Sequence, residues 1–470
     1  MEGCTLPANA LEKVLEEVRD FVMRHGIPRK GDLVLLAVSG GVDSMVMLDA
    51  FCRLQDELGL RLHVAHLDHM LRGDASKGDA QHVAEVARSH ALSCTVQCVD
   101  IGRQLGPESG GLQQVARKER YAFFHRVARQ VGARWIVTGH HRDDQAETVL
   151  WRIIRGTGLK GLGGMSLVRE PFLRPLLGLW RAQLEAYAAE AGLTHREDAS
   201  NLRLDYTRNR IRLQILPLLQ EINPRVKEAL VSLSEQAARD GDCLEAWAQR
   251  VYGELASVRW GQRRLWREGF VALPGALASR VIMRAVKDVF APALGQLDQK
   301  GMERGLALMR KARGPTRFMW PGPLMVVVEK DWVTLVPPHD ALAEQSVKVG
   351  GATALGRGMY ITARLLSKTP QKLDAGSKVA YVDFDRLHAP LKVRSRRSGD
   401  RFFPLGLAGS KRVKEFFIQE KIPAHARHRV PVICAGTDIV WLASLRQDHR
   451  FRVRDTTVRV LELRLRDMPW

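Results

Sequence analysis

The chain has 470 residues, 45% apolar and 26% charged, a globular composition that can bury sizeable cores without disulfides. Lys plus Arg number 72 against 52 Asp plus Glu, a net charge of +20, and only 18 of the 72 are Lys. Six scattered Cys make no disulfide framework, no apolar run approaches the roughly 20 residues that cross a bilayer, and a start bearing Glu12, Glu16 and Asp20 is no secretory leader, so a cytoplasmic protein with no membrane partner is expected.

Leu11, Val14, Leu15, Val18 and Val22 recur at helical spacing and predict a surface helix. An apolar strand over 33–38 runs into a helix over about 42–54. Strands over 62–67, 95–99 and 135–138 then alternate with helices over 77–90, 111–130 and 144–155. Such alternation predicts an α/β domain, a Rossmann-like doubly wound parallel sheet. Cys94 and Cys98 form the closest Cys pair and read as core residues of a strand, because no second pair exists to complete a metal site. Residues 156–165 hold five Gly and read as a mobile loop or a linker. Beyond about Pro217 long helical patterns take over, at 224–251 and 276–289, with strand-like pieces at 324–328 and 332–336. A short-strand, Arg-rich region follows from about Lys378. The expected division is therefore an α/β domain over 1–217, a mainly helical domain over 218–372, and a small α+β domain over 373–470. That last piece has 20 basic and 11 acidic residues, +9 of the total.

Net charge speaks to partners rather than to fold. Arg suits bidentate phosphate contacts, so nucleic acid leads as partner class, ahead of an anionic membrane. Ser39-Gly40-Gly41-Val42-Asp43-Ser44 directly follows the first strand and opens a helix. Paired glycines let backbone amides approach a ligand closely, and the helix N-terminus adds oriented donors with partial positive charge. In a doubly wound fold the carboxyl end of the first strand is where ligands sit. The string is thus a phosphate cradle, distinct from both G-x-x-x-x-G-K-[ST] and G-x-G-x-x-G. Asp43 places a carboxylate beside polyphosphate. Either it serves the helix N-terminus or a cation joins the two anions, and Mg²⁺ suits oxygen ligands.

A second polar string, His140-His141-Arg142-Asp143-Asp144-Gln145-Ala146-Glu147-Thr148, follows the strand over 135–138 and also opens a helix. The six-residue loop resembles the PP-loop of ATP pyrophosphatases. In chain order come the run 66–72, the run 116–121 with Arg117, the second string, Arg174-Pro175-Leu176-Leu177, the run 197–201 and the run 206–212. Near the end lie 398–402, 411–418 and 421–423. Together they resemble the tRNA(Ile)-lysidine synthetase family, strongly over about 30–217 and well over 390–445. Ala424 and His428 depart from the family, which tends to have Arg and an acid there.

The resemblance implies an ATP-dependent ligase. The C2 oxygen of the wobble cytidine in a CAU anticodon attacks the α-phosphate of ATP, and pyrophosphate leaves. The ε-amine of L-lysine then displaces AMP, giving lysidine and changing the tRNA from Met-like to Ile-like. It implies ATP binding by Ser39, Gly40, Gly41, Val42, Asp43 and Ser44, with Mg²⁺ on Asp43. Asp43, Arg117, Asp144 and Glu147 are the expected catalytic residues, and His140, Asp144 and Glu147 the expected lysine site. Free lysine is an ammonium with a pKa of about 10.4, so a carboxylate must bind it and a base must take its proton. The sequence leaves open which acid does which. Arg208, Asn209 and Arg212 are expected to contact tRNA, as are Arg396, Arg397, Arg401, Lys411, Arg412 and Lys414, which lie among Phe402, Phe403, Phe416 and Phe417. Phe416 and Phe417 are assigned to the core. Both later domains are expected to bind tRNA, and a homodimer is left open.

Other readings are a tRNA 2-thiolation enzyme, a small-molecule PP-loop synthetase, and an RNA-binding protein without activity. The first needs catalytic or cluster-binding Cys and usually C-x-x-C, which is missing. The second needs no basic tail, and the third conflicts with an intact loop at 39–44.

Overall fold

Asn9 starts the first helix, its side chain accepting from the Glu12 amide at 2.8 Å, and Gly26 ends it in the left-handed region at φ +62°. This helix, α1 (Ala10–His25), buries Val14, Leu15, Val18, Phe21 and Val22, the stripe its periodicity predicts. The structure is a computed structural model and describes residues 9–68, 74–100, 112–196, 207–259, 262–320, 324–338, 341–356, 358–366 and 378–467. It has two units, Met1–Asp242 and Cys243–Trp470.

In the first unit the expected alternation is present as β1 (Leu33–Ala37), α2 (Val42–Leu58), β2 (Arg61–Asp68), α3 (Asp74–Ser89), β3 (Ser93–Cys98), α4 (Leu112–Val131), β4 (Trp135–Thr138) and α5 (Arg142–Arg155). A one-turn helix α6 (Leu159–Leu162), β5 (Val168–Arg169), β6 (Phe172–Leu173) and α7 (Arg181–Glu190) follow. The strand order is β3-β2-β1-β4-β6-β5. β1 pairs in parallel with β2 and β4 on its two sides, and only the short β5 runs antiparallel, against β6. Helices α1, α2, α3 and α7 share one core with Val34 and Leu36. Helix α4 covers the other face, where Phe123 and Val127 meet Leu35 and Ile136. Burial on both faces is why these strands read as continuous apolar runs. Cys94 is half-buried and packs against the first of these cores, as expected, whereas Cys98 is exposed on the edge strand β3.

The segment over 156–165 is neither linker nor loose loop. It contains α6, and Arg152 Nη1 donates to Gly161 O at 2.6 Å and Gly164 O at 2.7 Å. Gln145 brackets Met165 from both sides of its amide, at 2.7 and 3.1 Å. Further on, α8 (Thr207–Arg210) leads through a π-helical turn over Ile211–Ile215 into α9 (Leu216–Ile222). Pro217 lacks an amide to give, and the Leu216 amide instead reaches back to Ile211 O. Helix α10 (Val226–Leu255) begins against α5, with Leu230 and Val231 packed on Ala146, Val149 and Leu150. The first unit therefore extends past 217, to Asp242.

The second unit is less helical than its sequence suggests. Besides α11 (Arg267–Val271), α12 (Gly275–Phe290) and α13 (Gln299–Lys311), it has strands β7 (Ala256–Arg259), β8 (Gln262–Trp266), β9 (Thr316–Trp320), β10 (Leu324–Val328) and β11 (Trp332–Val336). These form a five-stranded antiparallel sheet in the order β7-β8-β11-β10-β9. Strands such as Gln262-Arg263-Arg264-Leu265-Trp266 hide their alternation behind long basic side chains.

The expected boundary at 372/373 cuts through a sheet. The strand Met359–Leu366 pairs along its whole length with Val460–Asp467, and Gly351–Gly356 and Val379–Asp383 flank this pair on its two sides. Leu342, Leu355 and Ile361 share one core with Ile433, Trp441 and Leu463. The C-terminal piece is antiparallel strands around α14 (Val413–Gln419), which buries Phe416 and Phe417 beside Phe402 as expected. Among the described residues no helix is long and apolar enough to cross a membrane.

Candidate active site

The phosphate loop is held by its own serine. Ser44 Oγ accepts the Ser39 amide at 3.1 Å and the Gly40 amide at 3.2 Å, and donates to Gly41 O at 2.9 Å. That hydroxyl is buried and shapes the turn from within. Gly40 lies at φ +93°, where a Cβ is strained. The Val42 and Asp43 amides head α2 with no preceding turn to bond to, the usual anion seat. Asp43 Oδ1 is buried and has no hydrogen-bond partner. An uncompensated carboxylate oxygen beside an anion seat fits a divalent cation. Among the described residues no three His, Cys, Asp or Glu side chains are arranged to hold a metal ion by themselves, so an ion held here would rest on Asp43 and on phosphate oxygens.

The second string is brought against this loop at the point where strand order reverses between β1 and β4. Gly139 makes the approach possible. A Cβ there would lie 3.0 Å from Asp43 O, 3.1 Å from its carbonyl carbon and 3.2 Å from Ser44 Cα, all backbone atoms. His141 then falls among three carboxylates: Nε2 is 3.6 Å from Asp43 and 3.5 Å from Asp144, and Nδ1 is 3.6 Å from Asp143. Burial opposes its charge, but Asp143, Asp43 and Asp144 outweigh burial and raise the imidazole to about 10. His141 thus ties the loop acid to the acids of α5.

The three acids divide their labour. Asp143 accepts from the Arg181 amide and Lys227 Nζ, both at 2.9 Å. Burial works against its charge, yet His141 and these donors hold it well below the usual carboxylate range, as a structural anchor. Asp144 accepts the His141 amide at 3.1 Å. Despite burial its pKa is lowered, chiefly by Arg208 and His141. Glu147, one turn on, is 3% exposed.

Arg208 does not point away toward solvent. Its Nη2 donates to Asp144 Oδ1 at 2.6 Å and its Nε to Glu147 Oε2 at 2.8 Å. Arg212 Nε stands 3.7 Å from Glu147 Oε1. Two arginines expected to meet RNA thus lie on the acids expected to meet lysine. The π-helical turn carries Arg212 round to the same acid. His140 accepts or donates at 2.8 Å with Thr138. Its pKa falls to about 4, through burial first and then Arg174, Arg208 and Arg117, with Asp144 opposing. Arg117 packs over the Tyr121 ring at 5.0 Å and donates to its hydroxyl at 3.1 Å. Its charge reaches His140 and so belongs to this cluster.

In the second unit Arg397 is paired with Glu344, and Arg401 donates to Ser410 at 3.0 Å. Lys411 donates to Gln419 at 3.0 Å, and Arg412 is 3.9 Å from Glu415. Lys414 is exposed, and Arg396 keeps a buried Nε without a partner. Asn209 is half-buried on α8. The runs 69–72, 197–201 and Tyr206 lie outside the described residues. Sequence reading missed Gly139, the bridging role of His141, and Lys227. Gly139 carried a signal, a glycine where a site strand ends; Lys227 carried none.

Comparison with known proteins places these features in a family. A PP-loop domain family matches residues 10–219, and the TilS substrate C-terminal domain family matches 391–463. The tRNA(Ile)-lysidine synthase of Symbiobacterium thermophilum is 37% identical over 97% of this chain and 98% of its own length. That of Dehalococcoides mccartyi is 33% identical over 96% of this chain and 99% of its own. A solved TILS C-terminal domain is 30% identical, covering 27% of this chain and 98% of its own, with a TM-score of 0.26. Similarity at this level along nearly the whole length, on a chain with an intact PP-loop, means that it belongs to the tRNA(Ile)-lysidine synthase family.

Proposed function

We propose that this protein ligates L-lysine to C2 of the wobble cytidine of tRNA(Ile) bearing a CAU anticodon, consuming ATP. The observation that supports it best is the joining of the phosphate loop to the Asp144–Glu147 acid pair through His141, at the carboxyl ends of neighbouring strands. In the first step the cytidine C2 oxygen bonds the α-phosphorus and the bond to pyrophosphate breaks. The amides at 41–43 receive the leaving charge, and Mg²⁺ on Asp43 would neutralise it. In the second step the lysine ε-nitrogen bonds C2, the C2–O bond breaks and AMP leaves.

Asp144 and Glu147 receive the lysine ammonium, taking it in place of the Arg208 guanidinium. One of them accepts the proton that the amine sheds as it attacks. His140 is neutral near pH 7 and so adds no charge against the ammonium. Arg117 offers positive charge to phosphate or base on the same side as His140. The basic side chains of the second unit, Arg396, Arg401 and Lys414 among them, hold the tRNA body. The test is labelled lysine with ATP and this tRNA, each omitted in turn. Label must enter the tRNA only when all are present, with AMP and pyrophosphate formed one for one. ATP consumption with a different acceptor, and none with this one, would overturn the reading.

A further inference from the structure

Arg117 and Arg174 act on His140, and Arg117 and Arg169 lie within electrostatic reach of both Arg152 and Arg174, a group of four guanidiniums that the acid pair does not neutralise. Arg174, at the end of β6, is 4% exposed. Its Nη1 donates to Ser166 O at 2.8 Å, while its Nε is buried with no hydrogen-bond partner. Arg152 spends one Nη1 on two carbonyls of the glycine-rich segment. Arg117 and Arg169 are exposed at the rim. Tyr121 links the group, accepting from Arg117 and lying close enough to Arg174 to favour its charge. Among the described residues no ion pair joins any of the four to a carboxylate.

Uncompensated clustered guanidiniums need an anion. Burial already disfavours the charges of Arg152 and Arg174, and Arg169 and Arg117 disfavour both further. Two polyanions meet in the reaction proposed above, and the loop at 39–44 serves the triphosphate. The other is the RNA strand that carries the reacting base.

We propose that Arg117 and Arg169, backed by the buried Arg174 and Arg152, form a seat for a backbone phosphate of the anticodon strand beside the target cytidine. This rests on the ligase reading. Arg174 and Arg152 supply fixed positive potential and pin the segments around Ser166 and α6. The exposed pair makes the contact. Anchoring the strand by its backbone positions the base without reading it, and the unstacked loop base then enters at small cost.

The test separates RNA from nucleotide. Binding of tRNA(Ile), of its anticodon stem–loop and of ATP is measured individually for the wild type, Arg169→Glu and Arg169→Lys. Arg169→Glu should weaken both RNAs about tenfold and reduce the slope of log K against log salt by about 0.7, the share of one single-strand phosphate. ATP affinity should not change, and Arg169→Lys should recover most of the RNA binding. Unchanged RNA affinity, or a loss confined to ATP, overturns this seat alone. A wild-type protein that binds no tRNA overturns the ligase reading with it.

Discussion

Arg208→Ala probes the acid pair most directly, because the side chain removed is the pair's resident counter-ion. Its two hydrogen bonds, 2.6 and 2.8 Å, end on carboxylates that are 16% and 3% exposed, while the guanidinium itself is 42% exposed. Breaking a fully buried pair costs about 3–5 kcal/mol, and an exposed one about 0–1 kcal/mol. With Arg212 at 3.7 Å and His141 at 3.5 Å remaining, a loss of about 2 kcal/mol is expected. For a unit of this size that lowers Tm by about 4–8 °C. Lysine should then do the opposite of what a damaged site would show. Its ammonium no longer competes with a guanidinium, so its Kd should tighten about tenfold, or about 1.4 kcal/mol. Saturating lysine should raise Tm more in the variant than in the wild type. The assay is thermal unfolding with a lysine titration, without tRNA. An unchanged Tm, or weaker lysine protection in the variant, would refute the exchange of guanidinium for ammonium.

Asp144→Asn should retain ATP binding within about twofold and lose lysine incorporation by about a hundredfold, as expected for a group acting in the transfer step; retained incorporation would sink its role. Gly139→Ala forces a Cβ onto the Asp43 and Ser44 backbone at 3.0–3.2 Å, so pyrophosphate release should fall by at least about tenfold with a modest loss of Tm. His425 in the second unit is pushed down to about 4 by burial and Arg317. Between pH 4 and 6.5 the unfolded chain binds a proton there that the folded chain refuses. Stability from this site is therefore full above about 6.5 and declines by up to about 3 kcal/mol as pH falls to 4. Denaturant unfolding of His425→Gln should show a flatter profile across that window. Raising salt should weaken tRNA binding steeply and ATP binding far less, as measured by parallel titrations.

Local physics made much of this protein readable. The doubly wound sheet followed from apolar strands alternating with helices, because a strand buried on both faces has no polar side to disguise it. The phosphate loop was legible because Gly40, Asp43 and Ser44 act within six residues of one another, and the acids of α5 because they are contiguous. Where elements meet strands distant in sequence, reading failed. The boundary at 372/373 is misplaced because the strand Met359–Leu366 finds its partner, Val460–Asp467, about a hundred residues later. The sheet of the second unit was half hidden by basic side chains on β8.

At the site, which groups are present is written in local sequence: an anion seat, four acids, two histidines and a surplus of arginine. Who pairs with whom depends on the fold. It turned Asp143 into an anchor for Lys227, put His141 between the loop acid and Asp144, and laid Arg208 on the acids rather than out toward RNA. The reason is that charge pairing in a buried cluster depends on distances of about 3–4 Å between residues as far apart in the chain as Asp43 and His141, and no spacing along the chain encodes those.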